Sequence, residues 1–238
     1  MLLVYTHKIT PRLRYVFRHI CTRVLGVNVG FTTTIEDFIA HESIKMSYGK
    51  QPLGKEFFIK SHDILFEQGL SDIEFNVHDW DGTKGFFSTG DKGALPYDIF
   101  ASSFYLLSRY EEYLPHVQDE YGRFTATESI AYKHGFLKQP IVDIWAYKFK
   151  DTLQIHFPYF VFPIKEYSIK PIIDVPSAFD YKLKGFMRTV GGTLKDIFKL
   201  DFKGVYMRYM VLFGLKHDPF DTYKYIINKQ KQINYEKL

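Results

Sequence analysis

Between Leu2 and Thr32 the chain runs strand, helix, strand, and that order limits the fold more than any other feature. Leu2-Leu3-Val4-Tyr5 is a short apolar run suited to a buried strand. Thr10-Pro11 supplies a helix cap followed by proline in the first turn. Leu13, Val16, Phe17, Ile20, Cys21 and Val24 then recur at three- and four-residue spacing, a stripe that faces a core. Arg12, Arg14, Arg18 and Arg23 fall mostly toward water, and Gly26 stands where the helix must stop. A second apolar run over 27–32 completes the unit. Such an alternation predicts an α/β domain.

Further elements follow in the same style. Thr34 and Asp37 resemble a capping pair for a short helix, and 44–48 and 57–60 are strand candidates in a sheet of mixed direction. His78-Asp79-Trp80-Asp81-Gly82 is rich in turn formers. Its Asp-x-Asp-Gly could open a calcium loop, but the rest of that spacing is missing, so a turn with a packed tryptophan is expected. Asp98 is placed to cap a buried helix over 99–113, and a second long helix is expected over 141–153. The run 157–163, with prolines at both ends, reads as an extended connector.

The charge is uneven. The net charge is +4, yet from Glu166 onward there are 13 basic and 8 acidic residues, against 18 and 19 before it. The shift marks a domain boundary, giving 1–165 and 166–238. It is too dispersed for a nucleic-acid surface. Cys21 is the only cysteine, so neither an intrachain disulfide nor a cysteine metal site is expected, and its place on the apolar helix face predicts a packed thiol. No apolar stretch approaches the ~20 residues of a membrane span, and the N-terminal run is too short for a signal-peptide core. A cytoplasmic protein is expected.

In the second part, Ile172-Ile173-Asp174-Val175 reads as a buried strand that delivers a carboxylate to its tip. Helical stripes follow: Val190, Leu194, Ile197 and Phe198; then Phe202, Val205, Tyr206 and Tyr209 after Asp201; then Phe220, Tyr223 and Ile227 after Asp218-Pro219. The nine histidines include no pair three or four apart, so no helix offers a paired-histidine metal site. No glycine-rich phosphate loop and no Gly-x-Ser-x-Gly occurs. Glu111 and Glu112, with His116 nearby, offer acid–base groups. Neighbouring carboxylates on a helix point about 100° apart and do not face each other across a substrate. Arg109 pairing with a carboxylate at the helix end is the expected arrangement.

Ile172-Ile173-Asp174-Val175-Pro176-Ser177-Ala178, with Tyr181-Lys182-Leu183-Lys184-Gly185 after it, resembles the first motif of polysaccharide deacetylases. More narrowly, it is similar to Bacteroidetes-type proteins that carry an N-terminal domain before a NodB-like deacetylase barrel. Ser108-Arg109-Tyr110-Glu111-Glu112-Tyr113, Tyr121-Gly122-Arg123-Phe124, 142–148, Leu200-Asp201-Phe202 and Asp218-Pro219-Phe220-Asp221-Thr222-Tyr223 extend the likeness over nearly the whole chain. It implies a distorted (β/α) barrel that binds zinc or a similar metal. The family's first motif is Thr-x-Asp-x-Asp, followed later by His-x-x-x-His. Its first aspartate serves as general base on a metal-bound water that attacks an acetamide of an N-acetylated sugar. Asp174 matches that base. Pro176 stands in place of the metal-binding aspartate, Ile172 in place of the threonine, and no His-x-x-x-His occurs up to Leu238.

The resemblance therefore implies an α/β domain over 1–165, then the first strand and helices of an incomplete barrel over 166–238. Asp174 is the would-be catalytic base, with no metal or other cofactor held by this polypeptide. The expected function is that of a truncated, inactive deacetylase-like protein. The alternative is a non-enzymatic module that binds a carbohydrate or a partner, associates with itself, or complements a separately encoded barrel. A small hydrolase using Glu111, Glu112 or His116 is the third reading. The part after Glu166 is expected to be the less stable.

Overall fold

The computed structural model describes residues 1–90, 93–165 and 172–235. The chain divides into two compact units, Met1–Glu166 and Tyr167–Leu238. The fold class is α/β.

The first unit is built on a four-stranded sheet of β1 (Leu2–Tyr5), β2 (Val29–Thr32), β3 (Lys45–Gly49) and β4 (Phe58–Lys60), in the order β2-β1-β3-β4. All pairings are parallel: Leu3 lies opposite Gly30 and Lys45, and Ser47 opposite Phe58. Antiparallel pairing occurs in a separate hairpin, so the mixture of directions expected of one sheet is divided between two. β1 is buried on both faces, which is why it reads as a continuous apolar run rather than an alternation. Leu2, Val4, Met46, Tyr48 and Ile59 face the main core, while Tyr5 meets Phe38 on the other side at 5.7 Å.

Helix α1 (Pro11–Phe17) starts as the sequence requires. Thr10 Oγ1 accepts from Leu13 N at 3.1 Å, and Pro11 occupies the first turn. A π-helical turn continues it over Arg18–Val24. The wider turn keeps Ile20 and Cys21 both in the core, and the Leu25 N–H reaches the Ile20 carbonyl five residues back. Gly26, at φ 74°, then turns the chain toward β2. Helix α2 (Ile35–Ala40) follows β2, but Thr34 makes no side-chain cap. Thr32 Oγ1 instead donates to Asp37 at 3.3 Å, so the acidic partner is bound from the strand end.

The hairpin β5 (His78–Trp80) and β6 (Thr83–Gly85) turns on Asp81-Gly82, both at positive φ, the geometry a two-residue loop of this kind needs. Trp80 is half-buried against Tyr97, 5.5 Å away, as expected of a turn with a packed tryptophan. Helix α3 (Ile99–Leu107) is buried through Tyr105, and its Phe100 ring stacks on Phe17 at 3.7 Å. It does not run on to Tyr113. Arg109 takes a left-handed conformation (φ 55°) and a 3₁₀ turn follows over Tyr110–Tyr113. That reversal sends the Tyr110 ring back into the core, where its hydroxyl accepts from Ser71 N at 2.8 Å. After a short helix α4 (Ile130–Lys133), helix α5 (Ile141–His156) closes the core through Trp145, Phe149 and Leu153. Trp145 Nε1 donates to the Lys84 carbonyl at 2.8 Å and ties α5 to the hairpin.

The second unit differs from the expectation at its start. Residues 172–175 are irregular and exposed, with Ile172 at 93%. An apolar run becomes a strand only when another strand accepts its hydrogen bonds, and among the described residues of this unit there is none. Three helices follow: α6 (Phe186–Phe198), α7 (Phe202–Leu212) and α8 (Tyr223–Tyr235). Asp201 caps α7 through Gly204 N at 2.9 Å. Asp218 does not cap α8. It is buried and gathers the turn before α6, accepting from the backbone N–H groups of Asp180, Tyr181 and Lys182 at 2.8, 2.8 and 3.1 Å, and from Phe220 at 3.0 Å.

Helix α6 packs in an unusual sense. At 100° per residue, Phe186, Met187, Val190, Leu194, Ile197 and Phe198 fall within about 120° of arc. That face is turned to solvent, with Met187 at 82% and Phe198 at 86% exposure. The side toward α7 carries Gly192, against which Arg208 lies, and Asp196, which pairs with Arg208 at 2.6 Å.

Candidate functional site

Asp174, the expected base, sits in exposed irregular chain with no side-chain bond to Lys182 or Lys184. Lys184 instead approaches Asp180 at 3.7 Å. Pro176, two residues on, is also exposed and offers no donor atom. Among the described residues, no three His, Cys, Asp or Glu side chains stand close enough to share a metal ion. The residues present do not fit the zinc site that the deacetylase likeness implies.

The acid–base groups of the first unit are separated by the turn at Arg109. Glu112 swings toward Arg109, whose Nε donates to it at 2.5 Å while a second guanidinium N–H bonds the other oxygen. The pairing expected of Arg109 is therefore present. Glu111 points the other way into a cleft of about 290 Å³ shared with His116, Asp72, Tyr105, Glu128 and Lys133. Burial raises the Glu111 pKa, and the Ile130 N–H, donating at 2.9 Å, opposes that rise. His116 Nδ1 lies 2.8 Å from the Leu114 carbonyl, and its ring meets Phe124 edge-on at 5.0 Å. Of the three groups considered together in the sequence, two share this cleft and Glu112 does not.

Sheet topology points to another place. In the order β2-β1-β3-β4 the chain leaves β1 to one side and later returns to the other, so a crevice opens at the carboxyl ends of β1 and β3. A cavity of about 360 Å³ lies there, lined by Tyr5, His7, Ser47, Lys50, Gln51 and Asp63 among others. The loop after β3 is held by Glu56, which accepts from Leu53 N and Gly54 N, each at 2.7 Å, and from the Ser47 hydroxyl. Burial alone would raise the Glu56 pKa, but these donors together lower it. Lys50 pairs with Asp63 at 2.5 Å across the mouth. Beneath, buried Asp98 joins three elements, accepting from Tyr48 Oη at 2.6 Å, His62 N at 2.7 Å and the first turn of α3.

A larger depression of about 660 Å³ lies at the opposite, amino edge, where Ile44 and Lys45 meet His156 and 157–160. Its Lys45 is already committed, donating to the Phe38, Ile39 and His41 carbonyls at the end of α2. Size favours this depression, but ligands of open parallel sheets bind at the carboxyl edge, where strand ends and loops present polar groups. We give the carboxyl-edge crevice priority on that ground. None of its lining residues forms a motif in the sequence. They come together only once β1 and β3 are known to be neighbours, with β2 on the far side of β1.

Among the described residues no helix is long and apolar enough to cross a membrane. No curated protein and no solved structure matches the chain. A model described as a family of unknown function, DUF7033, matches residues 2–158, which spans the sheet, the hairpin and α5, and the chain belongs to that family.

Proposed function

We propose that this chain is a polysaccharide deacetylase-like protein that acts as a binding module rather than as a deacetylase by itself. In this reading the DUF7033 unit is an accessory α/β domain, and the second unit docks onto further deacetylase-barrel polypeptide. The motif likeness around Asp174 supports the family, and Pro176 argues against metal chemistry at that position. The observation that carries the docking role is the outward apolar face of α6. A stripe of six large side chains is what a helix presents to a sheet it covers.

The test is made on the purified chain. Sedimentation of residues 1–238 is expected to show concentration-dependent self-association, abolished by Leu194→Glu with Phe198→Glu, because the exposed stripe of one copy meets that of another. A stable monomer at all concentrations overturns the docking role. With zinc added, no acetate should be released from N-acetylglucosamine oligomers. Release that disappears in Asp174→Ala overturns the non-catalytic reading.

A further inference from the structure

We propose that the crevice at the carboxyl ends of β1 and β3 binds a neutral, hydroxyl-rich ligand: a sugar ring or a short oligosaccharide. The proposal deepens the reading of the first unit as a binding module, and it does not depend on the docking role of the second.

Three observations lead there. The first is position. The crevice occupies the switch point of a parallel sheet, and its volume of about 360 Å³ falls within the ~300–1,000 Å³ of small-molecule sites. Its walls are fixed before any ligand arrives, by Glu56 in the loop after β3 and by Asp98 below β4.

The second is charge. Lys50 is paired with Asp63, so the mouth carries a donor and an acceptor side by side and no unbalanced cation. The nearby Arg12 is also engaged, donating to the Ile64 carbonyl at 2.8 Å and to the Gly69 carbonyl. At the start of α1, Pro11 has no N–H and Leu13 N is capped by Thr10, which leaves the Arg12 N–H alone in the first turn. A phosphate is held best by unpaired cations, and Lys50 and Arg12 are both engaged. A hydroxyl both donates and accepts, and the Lys50–Asp63 pair answers both roles at once.

The third is the mixture of ring faces and hydroxyl-type partners. Tyr5 and His7 line the crevice, with the His7 ring steadied against Phe66 at 4.3 Å. The Tyr5 ring suits the C–H face of a sugar, while the His7 imidazole and the Gln51 amide can each donate or accept.

The experiment is a saturation-transfer NMR titration of the full chain with chitotriose, cellotriose and maltotriose, with AMP and inorganic phosphate as anionic probes. At least one trisaccharide should bind with millimolar or better affinity. Lys50→Met, with Gln51→Ala as a second variant, should weaken it at least tenfold without changing the melting temperature. Tyr159→Ala, on the opposite depression, should leave it unchanged. Three outcomes overturn the proposal: no trisaccharide binding at millimolar concentration, tighter binding of AMP or phosphate than of any sugar, or binding lost in Tyr159→Ala and kept in Lys50→Met. Self-association through the second unit is read separately by sedimentation, so either idea can fail alone.

Discussion

Replacing Asp98 with asparagine should change how folding depends on pH, over and above a constant cost to folding. The carboxylate is 1% exposed and accepts four hydrogen bonds, from Tyr48 Oη, His62 N, Phe100 N and Ala101 N. Burial raises its pKa from 3.8 to about 6, and the four donors oppose that rise without cancelling it. A carboxyl with a raised folded-state pKa holds its proton more tightly folded than unfolded. Its favourable contribution is therefore complete below the unfolded value and is lost as pH climbs through about 6. At about 1.4 kcal/mol per pKa unit, a rise of roughly two units corresponds to about 3 kcal/mol. Asparagine does not ionise, and its single acceptor oxygen can serve the first turn of α3 while its amide nitrogen donates to the Tyr48 hydroxyl; the His62 N–H then loses its acceptor, a cost that does not depend on pH. The stability of the native protein minus that of Asp98→Asn should thus fall by about 2–3 kcal/mol between about pH 4 and pH 7. Both tryptophans, Trp80 and Trp145, lie in the first unit, so urea unfolding followed by tryptophan fluorescence reports the relevant transition. A difference that stays constant across that range refutes the buried proton-linked carboxylate. One that grows with pH means the four donors outweigh burial.

Asp218→Ala should loosen the second unit by leaving four turn N–H groups without their acceptor, seen as rapid proteolytic cleavage between 178 and 222. Burial alone would raise the Asp218 pKa, but those donors hold it at about 2, so its contribution should be present above 3.8 and disappear as pH falls toward 2. Native-like protease resistance in the variant would contradict this. Gly85→Ala should cost about 1–3 kcal/mol by overpacking, because the added carbon overlaps the Tyr97 ring beneath the hairpin; an unchanged melting temperature would show that the ring moves freely.

The parts of the fold that were legible in the sequence are those fixed by local chemistry. Thr10-Pro11 announces α1, Asp98 announces α3, and Leu2-Leu3-Val4 announces β1, because caps and buried runs act through neighbours in the chain. What was hidden depends on distant partners. The π turn at Arg18–Val24 exists because Ile20 and Cys21 must share one core, and the break at Arg109 exists because Tyr110 finds a place beside Ser71. Ile172-Ile173 shows the converse. Composition alone makes it look like a strand, yet strand is a statement about pairing, and no partner strand stands beside it among the described residues. The carboxyl-edge crevice was illegible for the same reason. His7, Lys50 and Asp63 are unremarkable until strand order sets them around one opening, whereas Glu111 and His116 were close enough in sequence to be considered together.

Magnitudes decide what the second unit requires. Its inner contact between α6 and α7 carries the Asp196–Arg208 pair at 2.6 Å, with side chains 19% and 11% exposed. Such a pair contributes little net stability once the loss of hydration is counted. Against it stand Phe186, Met187, Val190, Leu194, Ile197 and Phe198, most of them largely in water. Each gains about 1.5–3 kcal/mol on full burial, so covering even half the stripe outweighs anything the ion pair supplies. Rotating α6 to turn the stripe onto α7 would break the Gly192 approach and strand Arg208 without its Asp196 partner. The arrangement keeps its polar seam inside and leaves most of its apolar stripe in water. A helix built for water on that side would carry lysine and glutamate there. This one carries phenylalanine and leucine, and that asymmetry is the physical reason the proposed docking surface is placed at α6 rather than at the exposed carboxylate of Asp174.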